Sequence, residues 1–61
     1  MRKKEEWMFK GAFVLANGER AVVTKIQENE ALGLVYYFWV KKEGAKREIG
    51  PYHPSDIQPL P

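Results

Sequence analysis

Residues 13–26 read Phe13-Val14-Leu15-Ala16-Asn17-Gly18-Glu19-Arg20-Ala21-Val22-Val23-Thr24-Lys25-Ile26, two apolar runs about an Asn-Gly pair. Phe13, Val14 and Leu15 form a short run of aromatic and branched residues, the composition of a strand. Asn17-Gly18 follows, the dipeptide favoured in two-residue type I′ hairpin turns, where both central residues need positive φ. Beyond it Val22, Thr24 and Ile26 alternate with Ala21, Val23 and Lys25, a period of two that marks a second strand with one apolar face. The chain therefore opens on a β-hairpin, the strongest local signal it carries.

The rest follows the same pattern. Gln27 to Ala31 is polar and reads as a loop, and Gly33 lets the chain re-enter a strand. Leu34-Val35-Tyr36-Tyr37-Phe38-Trp39-Val40 has the composition of a central strand and is too short for a typical helix. Lys41 to Lys46, around Gly44, forms the next turn, and Arg47 to Tyr52 returns as a fourth strand limited by Pro51. Tyr52-His53-Pro54-Ser55-Asp56-Ile57 predicts a single 3₁₀ turn, with proline fixing φ and Ser55 or Asp56 capping its free amides. Gln58 to Leu60 is the last short strand, and the two prolines near the end, Pro59 and Pro61, suit a sheet edge. Met1 to Glu6 is charged and is expected as a flexible arm, with an amphipathic helical turn as the alternative. Residues 7–61 form one domain.

Composition narrows the function classes. A domain of 61 residues buries only about 60% of the surface its unfolded chain exposes. Disulfides and a metal are the usual remedies, but the chain has no cysteine and one histidine, His53. Dense packing or a partner surface remains, and 44% apolar with 13% aromatic residues allows either. The lack of cysteine fits a reducing, cytoplasmic setting. No targeting segment is expected, since the apolar run Phe13 to Leu15 after Arg2, Lys3 and Lys4 is too short for a signal peptide. Nothing approaches the run of about 20 apolar residues that a membrane helix requires, so the expected chain is soluble with no membrane partner. The net charge of +2 is spread among scattered acids, the usual surface of a small soluble domain.

Catalytic patterns weigh little. His53, Ser55 and Asp56 are triad residue types, but they lie within four positions and lack a glycine-rich oxyanion loop, so a capped turn is the better reading. One histidine without cysteine cannot supply the three or four ligands of a transition-metal site. Glu28 and Glu30 could pair as carboxylates, yet glycosidase chemistry needs a cleft that so short a chain rarely builds. Gly11, Gly18, Gly33, Gly44 and Gly50 stand alone, so no phosphate-cradling loop occurs. The expectation is a non-enzymatic chain with no cofactor.

The aromatic strand is the informative feature. Strict alternation would point Leu34, Tyr36, Phe38 and Val40 one way and Val35, Tyr37 and Trp39 the other. A single-layer barrel has one inside, so the second set needs other cover. Three covers are open: the amino-terminal segment with Trp7 or Phe9, a second copy of the chain, or a ligand. For the last, Tyr37 and Trp39 near Lys25, Lys41, Lys42 and Arg20 combine flat π surfaces with cations, the means by which small barrels hold single-stranded nucleic acid. A binding or adaptor module for nucleic acid or a protein segment is the leading expectation, and a homo-oligomer with the aromatic face as its interface is the alternative.

Hairpin, loop, strand, turn, strand, 3₁₀ turn and terminal strand resembles the SH3-like barrels, a group including Tudor and KOW modules. The resemblance covers nearly the whole chain and implies an all-β, five-stranded barrel; a five-stranded OB-like barrel is the competing architecture. Gly11, Val14, Gly18, Val22 and Ile26 resemble the strand-turn-strand opening of KOW-type modules, which implies RNA or protein binding. Arg20-Ala21 stands where that pattern has a second glycine. The ending Tyr52-His53-Pro54-Ser55-Asp56-Ile57 is similar to the last segment of the type II dihydrofolate reductases, small SH3-like chains that act as tetramers. Their ligand-reading Val-Gln-Ile-Tyr is replaced here by Ile49-Gly50-Pro51-Tyr52, so only Tyr52 corresponds and self-association is what the likeness implies.

Overall fold

A computed structural model describes all 61 residues. The chain is all-β: β1 (Arg2–Lys3), β2 (Phe13–Ala16), β3 (Glu19–Asn29), β4 (Leu34–Lys42), β5 (Glu48–Tyr52), a 3₁₀ turn (Pro54–Asp56) and β6 (Ile57–Pro59). They form one curled antiparallel sheet, a half-barrel, in the order β6-β2-β3-β4. The far edge of β4 carries β1 against Leu34 and Val35, and β5 against Phe38 to Lys41. Strands β2 to β6, with the 3₁₀ turn before the last, are the five strands anticipated, and their curled antiparallel sheet is that of a small barrel. The two-residue β1 comes from the charged stretch 1–6.

The hairpin forms where Asn-Gly places it. Asn17 and Gly18 have φ of 51° and 83°, and Ala16 pairs with Glu19 across a two-residue turn. β3 then runs three residues beyond expectation. Gln27, Glu28 and Asn29 pair with Tyr37, Val35 and Leu34, because the long apolar β4 offers backbone partners that outweigh local polarity.

Strict alternation fails in both central strands, and the reason is a pair of irregularities in the β3–β4 ladder. Between Val23 and Lys25 the register shifts, with Thr24 as the extra residue on β3; between Gln27 and Glu28 it shifts again, with Tyr36 extra on β4. One extra residue turns every later side chain to the opposite face. Hence Val35 joins Phe38 and Val40 inside rather than sharing a face with Tyr37 and Trp39. On β3 the inward set is Ala21, Val23 and Ile26, not Val22, Thr24 and Ile26.

The core holds Met8, Ala12, Val14, Ala16, Ala21, Val23, Val35, Phe38, Val40 and Ile57, with Trp7, Ile26 and Tyr52 packed against it. Phe38 is its largest fully buried side chain and lies in register with Ile26 on one side and Tyr52 on the other. Trp7 stacks on it, ring centroids 6.0 Å apart and planes 11° from parallel. The amino-terminal segment holds that indole in place: Arg2 pairs with Glu5 at 2.6 Å, and Glu5 accepts the Trp7 Nε1 hydrogen bond at 3.2 Å. Lys4 bonds Glu28 at 2.8 Å.

The 3₁₀ turn is capped by His53 rather than by Ser55 or Asp56. His53 Nδ1 accepts from the Ser55 amide at 3.2 Å and contacts Ser55 Oγ at 2.8 Å. The Asn17 amide donates to the Asp56 carbonyl at 3.0 Å, tying this turn to the hairpin.

Phe38→Ala should cost about 3–5 kcal/mol, the usual range for a buried aromatic truncated to alanine. For so small a domain that approaches the whole stability, so urea unfolding followed by circular dichroism should show the cooperative transition nearly abolished.

Candidate functional site

The bulge at Thr24 that turns Ile26 inward also sets the outer face of the sheet. Lys25 stands opposite Trp39 and Gln27 opposite Tyr37, while Val22 is flanked by Phe13 on β2 and Lys41 on β4. The convex face therefore presents Tyr37, Trp39 and Lys41 in sequence along β4, about 6.8 Å apart at two residues per step. Tyr37 is 42% exposed, and no aromatic ring lies over it.

Trp39 is covered within the chain, but not by the amino-terminal segment. Lys25 Nζ sits 4.6 Å from its ring centroid, a cation–π contact worth about 0.5–1 kcal/mol at an exposed site. Gly50 approaches from β5 so closely that a Cβ there would lie 2.6 Å from Trp39 Cδ1 and 2.9 Å from the Phe38 carbonyl oxygen. Glycine is thus required at position 50 by space. Trp7 packs on Phe38 instead, and Phe9 stays exposed.

The cations divide into two groups. Lys25, Lys41 and Arg20 make no ion pair. Glu48 faces Lys41 in the ladder, but its carboxylate accepts from Thr24 Oγ1 at 2.7 Å. Lys42 lies opposite buried Ala21, on the inner side of the sheet at its end, and donates to Glu19 Oε1 at 3.0 Å. The Glu19 hydrogen bond, supported by its charge and by Tyr52, holds the Lys42 ammonium above the ordinary value of 10.5 against the opposing cost of desolvation. The arrangement brings Tyr37, Trp39, Lys25 and Lys41 together, sets Arg20 at the hairpin end, and commits Lys42 to Glu19.

A feature that sequence reasoning passed over lies beside Arg20 and Lys41. Phe13, Val22 and Leu60 wall a groove of about 330 Å³, with Arg20, Lys41, Lys42 and Glu43 around it. Phe13 is 71% exposed although it opens a strand. The available signal was its place next to Val14: once Val14 is assigned inward, Phe13 must face out.

The His53–Ser55 contact resembles a nucleophile–base pair by distance alone. The same Nδ1 also receives the Ser55 amide, so the nitrogen that would take a hydroxyl proton is held in the turn cap. No group of three or more metal-ligating acidic, histidine or cysteine side chains occurs, and no helix is long and apolar enough to cross a membrane.

Gly50→Ala should destabilise the domain by about 1–3 kcal/mol through overpacking. The Trp39 indole N–H resonance should shift by NMR while that of Trp7 stays in place. A second prediction concerns pH. Because the folded pKa of Lys42 is raised, its contribution to stability is present below pH 10.5 and is lost as pH climbs through the folded value. Glu19→Gln should therefore be less stable than the parent at pH 8, with the gap closing in denaturant titrations above pH 10.5. No family model, curated protein or solved structure matches this chain.

Proposed function

We propose that this chain is a non-enzymatic binding module whose outer sheet face takes an extended single strand of nucleic acid. The observation that carries the reading is the register of Tyr37, Trp39 and Lys41 along β4, with Lys25, Lys41 and Arg20 beside them and free of acidic partners. Open aromatic faces stack bases without regard to sequence, and unpaired cations attract the phosphates between them. Tyr37 supplies the open ring, Lys25 and Lys41 the charge, and Trp39 a wall whose covering cation a phosphate can draw away. Lys42 contributes less, since Glu19 already holds it. The five-strand order and the 3₁₀ turn before β6 support placing the chain with KOW- and Tudor-like modules of the SH3-like group, and the lack of cysteine supports a cytoplasmic setting.

The alternative is a homo-oligomer that buries the aromatic face between copies. The core closes within a single copy, with an accessible surface of 4284 Å² against about 4,100 Å² for a compact monomer of this mass. Trp39 is covered by Lys25 and Gly50 of its own chain, which leaves Tyr37 as the open ring of the face.

Titration with short single-stranded oligonucleotides tests the reading. Three phosphate contacts imply a log–log salt slope near −2, so affinity should fall roughly 20-fold between 50 and 200 mM salt. Tyr37→Ala should cost about 1–3 kcal/mol of binding, and Lys25→Gln with Lys41→Gln should flatten the slope. A salt-insensitive oligomer that ignores the oligonucleotides would move the aromatic face to a subunit interface instead.

A further inference from the structure

The groove at the hairpin end adjoins the outer face but is built differently. Along β4 the side chains of Tyr37, Trp39 and Lys41 stand on an open surface. At Lys41 the ladder leads sideways through Val22 to Phe13, and Leu60, just beyond β6, closes the far side. The result is a recess whose apolar lining is Phe13, Ala21, Val22 and Leu60. Arg20, Lys41, Lys42 and Glu43 also line it; Lys42 is held by Glu19, and Arg20 and Lys41 make no ion pair, so the lining keeps a net positive charge after Glu43 is counted. Its volume of about 330 Å³ lies at the small end of ligand sites.

We infer that this groove is a base pocket, in which one nucleotide of the bound strand turns in from the sheet surface and stacks against Phe13 while Arg20 and Lys41 hold its flanking phosphate. The inference rests on the strand-binding reading above and adds to it a defined subsite. Charge complementarity selects the occupant. An apolar recess alone would suit any hydrophobic side chain, but the excess of cations over the single acid Glu43 favours an anion attached to the ring it admits, and a nucleotide joins the two. The position also follows the direction of β4: a strand laid over Tyr37 and Trp39 reaches Lys41 next, and the groove begins there. Phe13 thereby acquires a role its exposure otherwise leaves open, since a phenyl ring at 71% exposure contributes little to the core.

A length series tests this apart from the parent reading. Homopolymeric single-stranded oligonucleotides of two to eight nucleotides are titrated at 50 mM salt against the full chain, Phe13→Ala and Leu60→Ala. The parent chain should show a step in affinity, about tenfold, at the length that first reaches the groove. Phe13→Ala should bind the shorter oligonucleotides as the parent does and lose that step, and Leu60→Ala should reduce it. Both substitutions are outside the buried core, and circular dichroism of each variant verifies the fold. A smooth length dependence, or a step that survives in Phe13→Ala, overturns the base pocket while leaving the strand-binding face intact. Absence of binding at every length overturns both. Binding in which an acidic peptide with an apolar side chain displaces the longest oligonucleotide from the parent but not from Phe13→Ala supports the location; a peptide that occupies the groove while the oligonucleotides show no step assigns it to protein and overturns the inference.

Discussion

Phe38 is fully enclosed at the centre of the sheet, and both the inner packing and the outer face are arranged around that burial. In a chain of 61 residues few side chains can be fully enclosed, and this one sits where β3, β4 and β5 share a row through Ile26, Phe38 and Tyr52. The inner face of the half-barrel remains open above it, and Trp7 closes that opening by stacking on the ring. The amino-terminal charges matter for the same reason. Arg2 and Glu5 hold the indole, while pairing of Arg2 and Lys3 with β4 anchors the segment that carries it. A small core is completed by residues that look like a solvated arm.

The outer face follows from the inner one. To bring Val35, Phe38 and Val40 inside together, β4 must carry an extra residue at Tyr36, and to bring Ala21, Val23 and Ile26 inside, β3 must carry one at Thr24. These bulges leave Tyr37 and Trp39 outside and set Lys25 directly opposite Trp39. The cation–π contact is thus a product of core packing. So is the requirement for glycine at position 50, where β5 passes beneath the same indole.

Charge on this surface is organised by which cations find acids. Arg2, Lys4 and Lys42 are each held by a carboxylate; Arg20, Lys25 and Lys41 are not. A net charge of +2 conveys nothing of this, because it counts residues without regard to pairing. Among the cations without an acid, Lys25 lies over Trp39 and Lys41 follows Tyr37 and Trp39 along β4, and that pairing of charge with π surface, rather than overall basicity, is what the proposed nucleic-acid binding rests on.

Local sequence determined the all-β class, the Asn17-Gly18 hairpin, the central aromatic strand, the turn before the last strand and the proline-bearing edge. Each depends on φ preferences, β-propensity and periodicity within a few neighbouring residues. Tyr37, Trp39, Lys25 and Lys41 were also legible as a group, since position along two adjacent strands brings them near one another. Tertiary structure alone decided which side of the sheet each residue occupies past Thr24 and Tyr36, because a bulge is specified by the fit of the whole core and leaves no local mark. It likewise decided that Trp7 covers Phe38, that Glu19 takes Lys42 and that Phe13, Val22 and Leu60 meet in a groove. These are contacts between residues distant in sequence, and their geometry exists only once the sheet has curled.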